Sequence, residues 1–202
     1  MPQIANFKPT LTYERPGNPV SLTGVRHWLS ALFGALSHPA RKGWKGRIDA
    51  LGPTDTVALI LHTIALSASG RSARFNARTG YDTIERHYRQ LDWQTHRLLG
   101  ARVGQRLIAV AELAPTMVDG QPALELGLSV LERWQGRGVG ARMLLQAIRL
   151  ATRDEGVPLV LFTSVENRAM VALARRFGAE GTLLGHDYRF VFAPEPGLSA
   201  AA

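Results

Sequence analysis

The middle of the chain changes abruptly from one hydrophobic period to another. Between residues 123 and 130 apolar residues alternate with small or polar ones, which is the two-residue period of a β-strand. From Gly138 to Glu155 one face is apolar and the opposite face carries arginine and glutamine, as in an amphipathic helix. The apolar face comprises Val139, Met143, Ala147 and Ala151. We therefore predict a strand, a glycine-rich loop over 135–140 and a helix.

A second strand and a second helix follow. Pro158–Thr163 contains a continuous apolar run, which predicts a strand buried on both faces. Asn167 stands where a helix N-cap belongs, and Gly178 stands where that helix would end. Its predicted apolar face is formed by Met170, Val171, Ala174 and Phe177. Upstream, Leu98–Leu113 has the pattern of a β-hairpin with Gly104-Gln105 as its turn.

The loop between the first strand and its helix has the sequence Gln-Gly-Arg-Gly-Val-Gly. Glycine lets the backbone turn tightly and approach a ligand with no Cβ in the way. The first N–H groups of the following helix have no partner within the helix, so the loop suits a phosphate group. Its glycine spacing does not fit a dinucleotide-binding fingerprint. Ala141-Arg142 stands where a P-loop has lysine and serine or threonine.

The loop matches Gln/Arg-x-x-Gly-x-Gly/Ala and so resembles the acetyl-CoA pyrophosphate loop of the GNAT superfamily of N-acetyltransferases. The order strand, glycine loop, helix, strand and Asn-capped helix resembles the C-terminal half of a GNAT domain. Residues 66–75 and 82–93 resemble the helices after its first strand, and the Trp-Gln-Gly-Arg-Gly-x-Gly sequence is similar to bacterial protein-lysine acetyltransferases. The resemblance implies an α+β (mixed α/β) fold with a mostly antiparallel central sheet, flanking helices and one parallel β-α-β pair.

The resemblance also implies which residues bind acetyl-CoA. The backbone N–H of Val130 or of its neighbours would polarise the thioester carbonyl. Leu128 and Val130 are both assigned to cofactor binding, and the capping Asn167 would also contact the cofactor. The pyrophosphate would be bound by the loop residues Gln135, Gly136, Arg137, Gly138, Val139, Gly140 and Ala141.

Glu125 is the candidate general base. A lysine amine has a pKa of about 10.4, so a base must remove its proton at neutral pH. Glu125 shares a strand face with Gly127 and Ser129, two small residues that leave room for a ligand. Partial desolvation would raise the pKa of its carboxyl toward the range that a base needs. Its spacing before the loop resembles the acidic position of many GNAT enzymes. The alternative is a surface glutamate paired with an arginine.

Two further positions bear on the chemistry. Glu112 is a second candidate base, but we predict that it faces solvent near the end of its strand. Many GNAT enzymes place a tyrosine seven residues after the capping Asn, where it protonates the leaving thiolate. Ala174 occupies that position here, and Tyr188 is the nearest phenol in the sequence. A catalytically silent CoA-binding module therefore remains an alternative.

Composition narrows the functional classes. The chain has no cysteine, and its six histidines show no ligand spacing, so we predict no disulfide and no metal site. No apolar run of about 18 residues and no signal-peptide pattern is present. These features predict a cytoplasmic protein without a membrane partner.

The positive charge is concentrated near the start of the chain. The formal net charge is +8, and six of these charges fall within residues 1–47. Basic arms can bind nucleic acid, but a solvated or packed strap is the simpler interpretation. An apolar stripe in this segment predicts docking onto the core or onto a second copy in a homodimer, and it comprises Val25, Trp28, Leu29, Leu32, Phe33 and Leu36. We assign 1–42 to a basic extension, 43–193 to the GNAT domain and 194–202 to a disordered tail.

The sequence thus predicts transfer of an acetyl group from acetyl-CoA to a primary amine. A protein lysine is the predicted acceptor, attacking the thioester directly with Glu125 as general base. A small-molecule amine acetyltransferase and the silent CoA-binding module are the alternatives.

Overall fold

A single seven-stranded sheet organises the molecule. The computed structural model describes residues 43–75 and 79–194, so the predictions for 1–42 and for 195–202 lie outside the described residues. The strands are β1 (Ile48–Leu51), β2 (Arg97–Val103), β3 (Arg106–Val118), β4 (Gln121–Val130), β5 (Leu159–Ser164), β6 (Glu180–Leu184) and β7 (Asp187–Phe192). The helices are α1 (Thr56–Ile64), α2 (Ala68–Phe75), α3 (Tyr81–Arg89), α4 (Val139–Arg149) and α5 (Arg168–Arg176). A π-helical turn, Leu150–Asp154, continues α4.

The strand order is β1-β2-β3-β4-β5-β7-β6. Strands β4 and β5 run parallel, and every other neighbouring pair in the sheet is antiparallel. Helix α4 connects the two parallel strands. The prediction of a mostly antiparallel sheet with one parallel β-α-β pair is therefore confirmed.

Helices cover both faces of the sheet, and each face has its own apolar cluster. Helix α4 and its π-helical turn pack on one face, where the predicted apolar residues Val139, Met143, Ala147 and Ala151 are all buried. Helices α1 and α3 cover the other face through a cluster that includes Leu59, Ile84 and Tyr88. Because side chains alternate along a strand, successive residues in the covered parts of β3 and β4 face one cluster and then the other, whereas Met117 near their turn is exposed.

The predicted hairpin forms, with a left-handed Gly104 (φ 56°) in its turn. Its second strand extends beyond the predicted end to Val118. Strand β3 contains a bulge against β2, since Ala101 pairs with Ala109 while Arg102 pairs with Leu107. Ile108 is the extra residue. Strand β4, in contrast, pairs with β3 in one continuous register.

Two local predictions need correction. The run Pro158–Thr163 was expected to be buried on both faces, but Phe162 is 42% exposed because β4 no longer pairs with β5 beyond Val160. The helix expected over 82–93 ends at Arg89. No helix in the described ranges is long and apolar enough to cross a membrane.

Candidate active site

Strands β4 and β5 separate along their length and open a gap between them. Their ladder contains only two pairs, Leu124 with Leu159 and Glu125 with Val160. The Leu124 N–H points toward β5, where it donates to the Pro158 carbonyl at 2.9 Å. Successive N–H groups along a strand point to opposite edges. The N–H groups of Leu128 and Val130 therefore point the same way as that of Leu124, into the gap. Both residues are among those that we predicted from the sequence to bind acetyl-CoA.

The glycine loop lies at the open end of this gap. Gly136 (φ 67°) and Gly138 (φ 78°) adopt left-handed conformations, and Gly138 is the N-cap of α4. No side chain caps this helix end. The first intrahelical bond is donated by the Arg142 N–H, so the N–H groups of the preceding residues are available to a ligand. The Gln135 side chain donates to the Val130 carbonyl at 3.0 Å and holds the loop against the strand.

Loop and strand together fit a CoA thioester. A helix N-terminus with free N–H groups suits a pyrophosphate, and the strand edge offers donors and acceptors to an extended amide-containing arm. A side chain at Gly136 or Gly138 would have open space around it, so those glycines satisfy backbone conformation rather than packing. Gly140 differs, because its Cβ would lie 3.6 Å from a Val130 methyl group.

Asn167 is the N-cap of α5, as predicted. Its side-chain oxygen accepts from the Met170 N–H at 3.3 Å, and its amide nitrogen donates to Thr163 Oγ1 at 3.0 Å. Ala174, on the same helix, is fully buried in the core, so no side chain from the usual tyrosine position reaches the gap. The Tyr188 hydroxyl lies 3.2 Å from an Arg175 nitrogen.

Glu125 is half-buried on the face of β4 that carries Gly127 and Ser129. Burial raises the pKa of its carboxyl above the usual value, with Arg74 opposing the change and Glu112 adding to it. No side-chain hydrogen bond to Glu125 is present among the described residues. Among the described residues, Glu125 is thus the acid on this face whose carboxylate oxygens lack side-chain hydrogen-bond partners.

Glu112, expected to face solvent, is instead 4% exposed. Strand β3 is central, and the Glu112 side chain lies beneath α2 and α3, where cationic partners surround it. Arg74 Nη2 lies 2.6 Å from Glu112 Oε2, and His87 Nε2 lies 3.1 Å from both carboxylate oxygens. Burial alone would raise the pKa of Glu112, but Arg74 and His87 outweigh it and hold that pKa below the usual range.

A histidine–serine pair lies further along the same face. His62 is 2% exposed, with Nε2 at 2.9 Å from Ser129 Oγ and Nδ1 at 3.1 Å from the Leu107 carbonyl. The carbonyl can only accept, so Nδ1 carries the proton and the Ser129 hydroxyl donates to Nε2. Burial lowers the pKa of His62 to about 4, with the Leu107 carbonyl opposing the change.

Sequence reasoning missed Arg74, His87 and His62 as members of this site. Two signals were available. Gly127 is a glycine in mid-strand, where a close approach by another group is a common reason for the residue. His62 is a polar residue within the apolar run Val57–Ile64. Among the described residues, no group of three or more histidines and carboxylates is placed to hold a metal ion.

Comparisons with known proteins identify the family of the chain. A model of the acetyltransferase (GNAT) family matches residues 69–179. No curated protein matches the sequence significantly.

Several solved structures share the fold. The GNAT domain of Streptomyces lividans PAT superposes with a TM-score of 0.63 at 23% identity, over 76% of this chain and 93% of that one. Spermidine N-acetyltransferase from Vibrio cholerae, solved with CoA and spermine, gives 0.57 at 17% identity, over 72% and 94%. Ribosomal-protein-alanine N-acetyltransferase from Brucella melitensis gives 0.54 at 18% identity, over 72% and 97%.

The family model covers more than half of the chain and spans the gap, the glycine loop and the Asn-capped helix. The chain belongs to the acetyltransferase (GNAT) family and is an acetyl-CoA-dependent N-acetyltransferase.

Proposed function

We propose that the protein acetylates the side-chain amine of protein lysine, with Glu125 as general base. The observation that carries the proposal is the position of Glu125. It is a half-buried carboxylate with a raised pKa, on the face of β4 beside the gap where two backbone donors are free. The cofactor role of Leu128, Val130, Asn167 and residues 135–141 is part of the same proposal.

The reaction needs one proton acceptor and one polarised carbonyl. Glu125 takes the proton from the ammonium form of the acceptor, directly or through one water. The neutral nitrogen then forms a bond to the acetyl carbon, while the N–H groups of Leu128 and Val130 stabilise the charge on the carbonyl oxygen. The carbon–sulfur bond breaks and the electron pair leaves with sulfur. The attacking nitrogen then loses its second proton, which the CoA thiolate takes up, directly or through water, to give the free thiol. A thiol has a pKa of about 8.5, so thiolate departure without a tyrosine at position 174 is feasible.

The other acidic or basic groups on this face are poorer bases. Glu112 is bound by two cationic side chains, which lower its pKa and occupy its oxygens. His62 has a pKa of about 4 and accepts a hydrogen bond from Ser129 at its free nitrogen. Glu125 is the acid on this face whose pKa is raised and whose oxygens remain available.

The Arg74 charge favours a lysine over a polyamine, whereas Phe162 suits the alkyl stem of either amine. Phe162 is exposed on β5 beyond the last β4–β5 pair, where its ring can pack against the alkyl stem of a lysine. Arg74 places a positive charge on the same sheet face as Glu125. A fixed cation near the base repels the additional ammonium groups of a polyamine, whereas a lysine in a peptide brings one.

Substitution of Glu125 tests the base. Glu125→Gln should reduce thiol release from acetyl-CoA with a lysine peptide by about 10²-fold or more. Calorimetric affinity for acetyl-CoA should be unchanged. The matched control is Glu180→Gln, which removes an exposed carboxylate on β6. Unchanged turnover in Glu125→Gln would refute the assignment of the base.

The acceptor class is tested in the same assay with spermidine in place of the peptide. Faster thiol release with spermidine would indicate the small-amine alternative. Thiol release at background with both amines, from a protein that binds acetyl-CoA, would indicate the silent module.

The glycine loop has a closely matched control within the chain. Gly138 and Gly120 both have φ of 78° and open space around the Cβ position, but Gly120 lies in the β3–β4 turn. Gly138→Glu places a carboxylate where the pyrophosphate should bind, so acetyl-CoA affinity should fall at least about tenfold. Gly120→Glu carries the same backbone strain and charge and should bind normally. Equal affinity in both variants would exclude the loop as the phosphate site.

A further inference from the structure

The guanidinium of Arg74 lies directly on β4. A Cβ built at Gly127 would overlap Arg74 Nη1, Cζ and Nη2, so the strand can accept Arg74 at this point because it has no side chain there. Arg74 comes from α2, and its side chain is 10% exposed. Its Nη2 forms the 2.6 Å ion pair with Glu112, the residue opposite Gly127 in the β3–β4 ladder.

Groups from three elements hold the guanidinium in place. Glu112 of β3 is itself held by His87 of α3 at 3.1 Å. The Tyr88 hydroxyl, also on α3, is hydrogen-bonded to Thr63 of α1, and burial raises the pKa of this phenol while the Arg74 charge opposes the rise. The neighbouring Phe75 ring lies 4.9 Å from Arg74 Cζ. A side chain fixed from so many directions keeps its charge at one place.

That place is next to the proposed base. Glu125 and Gly127 lie two residues apart on one strand face, roughly 6.6 Å along β4. Arg74 and Glu112 are the charged groups that act on Glu125, and they act in opposite directions. On the other side of Glu125, β5 contributes the apolar Val160. Among the described residues, His62 of α1 and His87 and Tyr88 of α3 are the other titratable groups that pack over this face.

We propose that Arg74 is a positioning residue for acetyl transfer, whose guanidinium, fixed over Gly127 by Glu112, keeps the Glu125 carboxylate ionised and available on the acceptor side of β4. The inference rests on the proposed function, because it takes Glu125 as the base. Burial without a nearby cation would leave Glu125 protonated, whereas a cation in full contact would make it too weak a base. The ion pair with Glu112 avoids both outcomes, because it neutralises part of the Arg74 charge and holds the guanidinium away from Glu125.

The test is a titration of Glu125 in the full chain by ¹³C NMR of glutamate-labelled protein, with the signal assigned by its loss in Glu125→Gln. Removal of the cation in Arg74→Gln should raise the midpoint by about one pH unit. Removal of the anion in Glu112→Gln should lower it. Arg74→Lys keeps the charge and should restore most of the wild-type midpoint.

Single variants leave a buried charge without its partner, and either one can fail to fold. The double variant Arg74→Gln/Glu112→Gln removes both charges, so neither is left buried without its partner. Because Arg74 has the larger effect on Glu125, its midpoint should still rise, by less than in Arg74→Gln. The control is Arg102→Gln, whose ion pair with Asp55 lies at the far end of β2 and should leave the midpoint in place.

The kcat/KM for the lysine peptide should fall on the acidic side of its pH profile. The pH at which it falls should shift with the NMR midpoint in each variant. If the midpoint stays fixed in Arg74→Gln and in the double variant while Glu125→Gln is inactive, the positioning role is wrong and the base stands. If Glu125→Gln keeps both activity and the fall on the acidic side, the base assignment and the role of Arg74 fail together.

Discussion

The two edges of β4 show how one strand serves both stability and function. Along β3 it forms a continuous ladder of ten residue pairs, from Ala109–Val130 to Val118–Gln121. Along β5 it forms two. The same backbone is therefore saturated on one edge and left with free N–H groups on the other. Unpaired backbone groups cost free energy, and a strand tolerates them where water or a ligand can occupy the edge.

The acidic side chains on the helix-covered face of β3 and β4 show the same contrast between bonded and unbonded groups. Glu112 and Glu125 lie on neighbouring strands and face the same helices. Glu112 has an arginine and a histidine as partners, and its pKa is lowered. Glu125 has neither, and its pKa is raised. The incompletely satisfied groups, on the backbone and on the side chains, are the ones we assign to the reaction.

Proline substitutions at two consecutive residues, Ser129 and Val130, compare the two edges of β4 directly. The Leu131 N–H donates to Ile108 on β3, so the Ser129 N–H points to β3 and the Val130 N–H points to the gap. Ser129→Pro should lower the free energy of unfolding by about 3 kcal/mol or more, since it removes a ladder bond. Val130→Pro should cost about 1 kcal/mol and reduce acetyl-CoA affinity about tenfold. Urea denaturation and calorimetry measure the two effects.

Ser129→Ala is the control for the side chain, because Ser129 also donates to His62. It separates loss of the hydroxyl from loss of the N–H. Equal destabilisation by the two proline variants would mean that the β5 edge of β4 is as fully bonded as the β3 edge.

Features with local causes were predicted well from the sequence. The strand at 123–130, the helix after the glycine loop and the Asn167 cap each depend on residues a few positions apart. Hydrophobic period and capping chemistry therefore identified them. The parallel β4–β5 pair followed from the resemblance to GNAT domains.

The cluster around Glu112 could not be predicted in this way. Arg74, His87 and Glu112 lie on three elements that meet only in the folded sheet. An acidic residue in an alternating strand looks solvent-facing unless its partners are known. The bulge at Ile108 also shifts the alternation in β3, which makes the face of Glu112 ambiguous from sequence alone. Exposure of Phe162 likewise depends on where β4 leaves β5, a tertiary feature.

His62 predicts a loss of stability in acid. Its ordinary pKa is 6.5 and its folded-state pKa is about 4, so the folded state favours the neutral ring. The full contribution is present above pH 6.5 and is lost as the pH falls from 6.5 to 4. The difference corresponds to about 3 kcal/mol. Urea denaturation at pH 7.5 and pH 4.5 should show this loss in the wild type, in addition to any contribution from carboxylates.

His62→Gln removes the titration and should flatten that part of the pH dependence. The exposed His186, in the β6–β7 turn, is the matched control, and His186→Gln should leave the profile unchanged. A wild-type slope that persists in His62→Gln would show that other groups cause the acid loss.

Two glycines beside the gap, Gly127 and Gly140, should respond differently to an added methyl group. Gly127→Ala would force Arg74 away from β4, because the new methyl group overlaps the guanidinium. It should destabilise the protein by about 1 to 3 kcal/mol. Gly140→Ala meets methyl groups of Val130 and Leu173 at ordinary contact distances. It lies in the first turn of α4 and should be neutral or stabilising by up to about 1 kcal/mol.

Thermal unfolding of the two glycine variants gives the comparison, and the Glu125 titration supplies an independent measure. Its midpoint should change in Gly127→Ala and stay fixed in Gly140→Ala. A stable Gly127→Ala protein with an unchanged midpoint would indicate that Arg74 can leave β4 without consequence.

Glu125 itself should carry a small stability cost at neutral pH. Its folded-state pKa is raised, so the folded state favours the protonated acid. The favourable contribution is present below the unfolded-state pKa and is lost as the pH rises through the folded-state value. Glu125→Gln should therefore be more stable than the wild type at pH 8, and the difference should shrink as the pH falls to 4. Glu180→Gln, on an exposed strand, should show no such crossover. If Glu125→Gln were less stable than the wild type at pH 8, the carboxylate would be a bonded structural group like Glu112, and the contrast between the two glutamates would disappear.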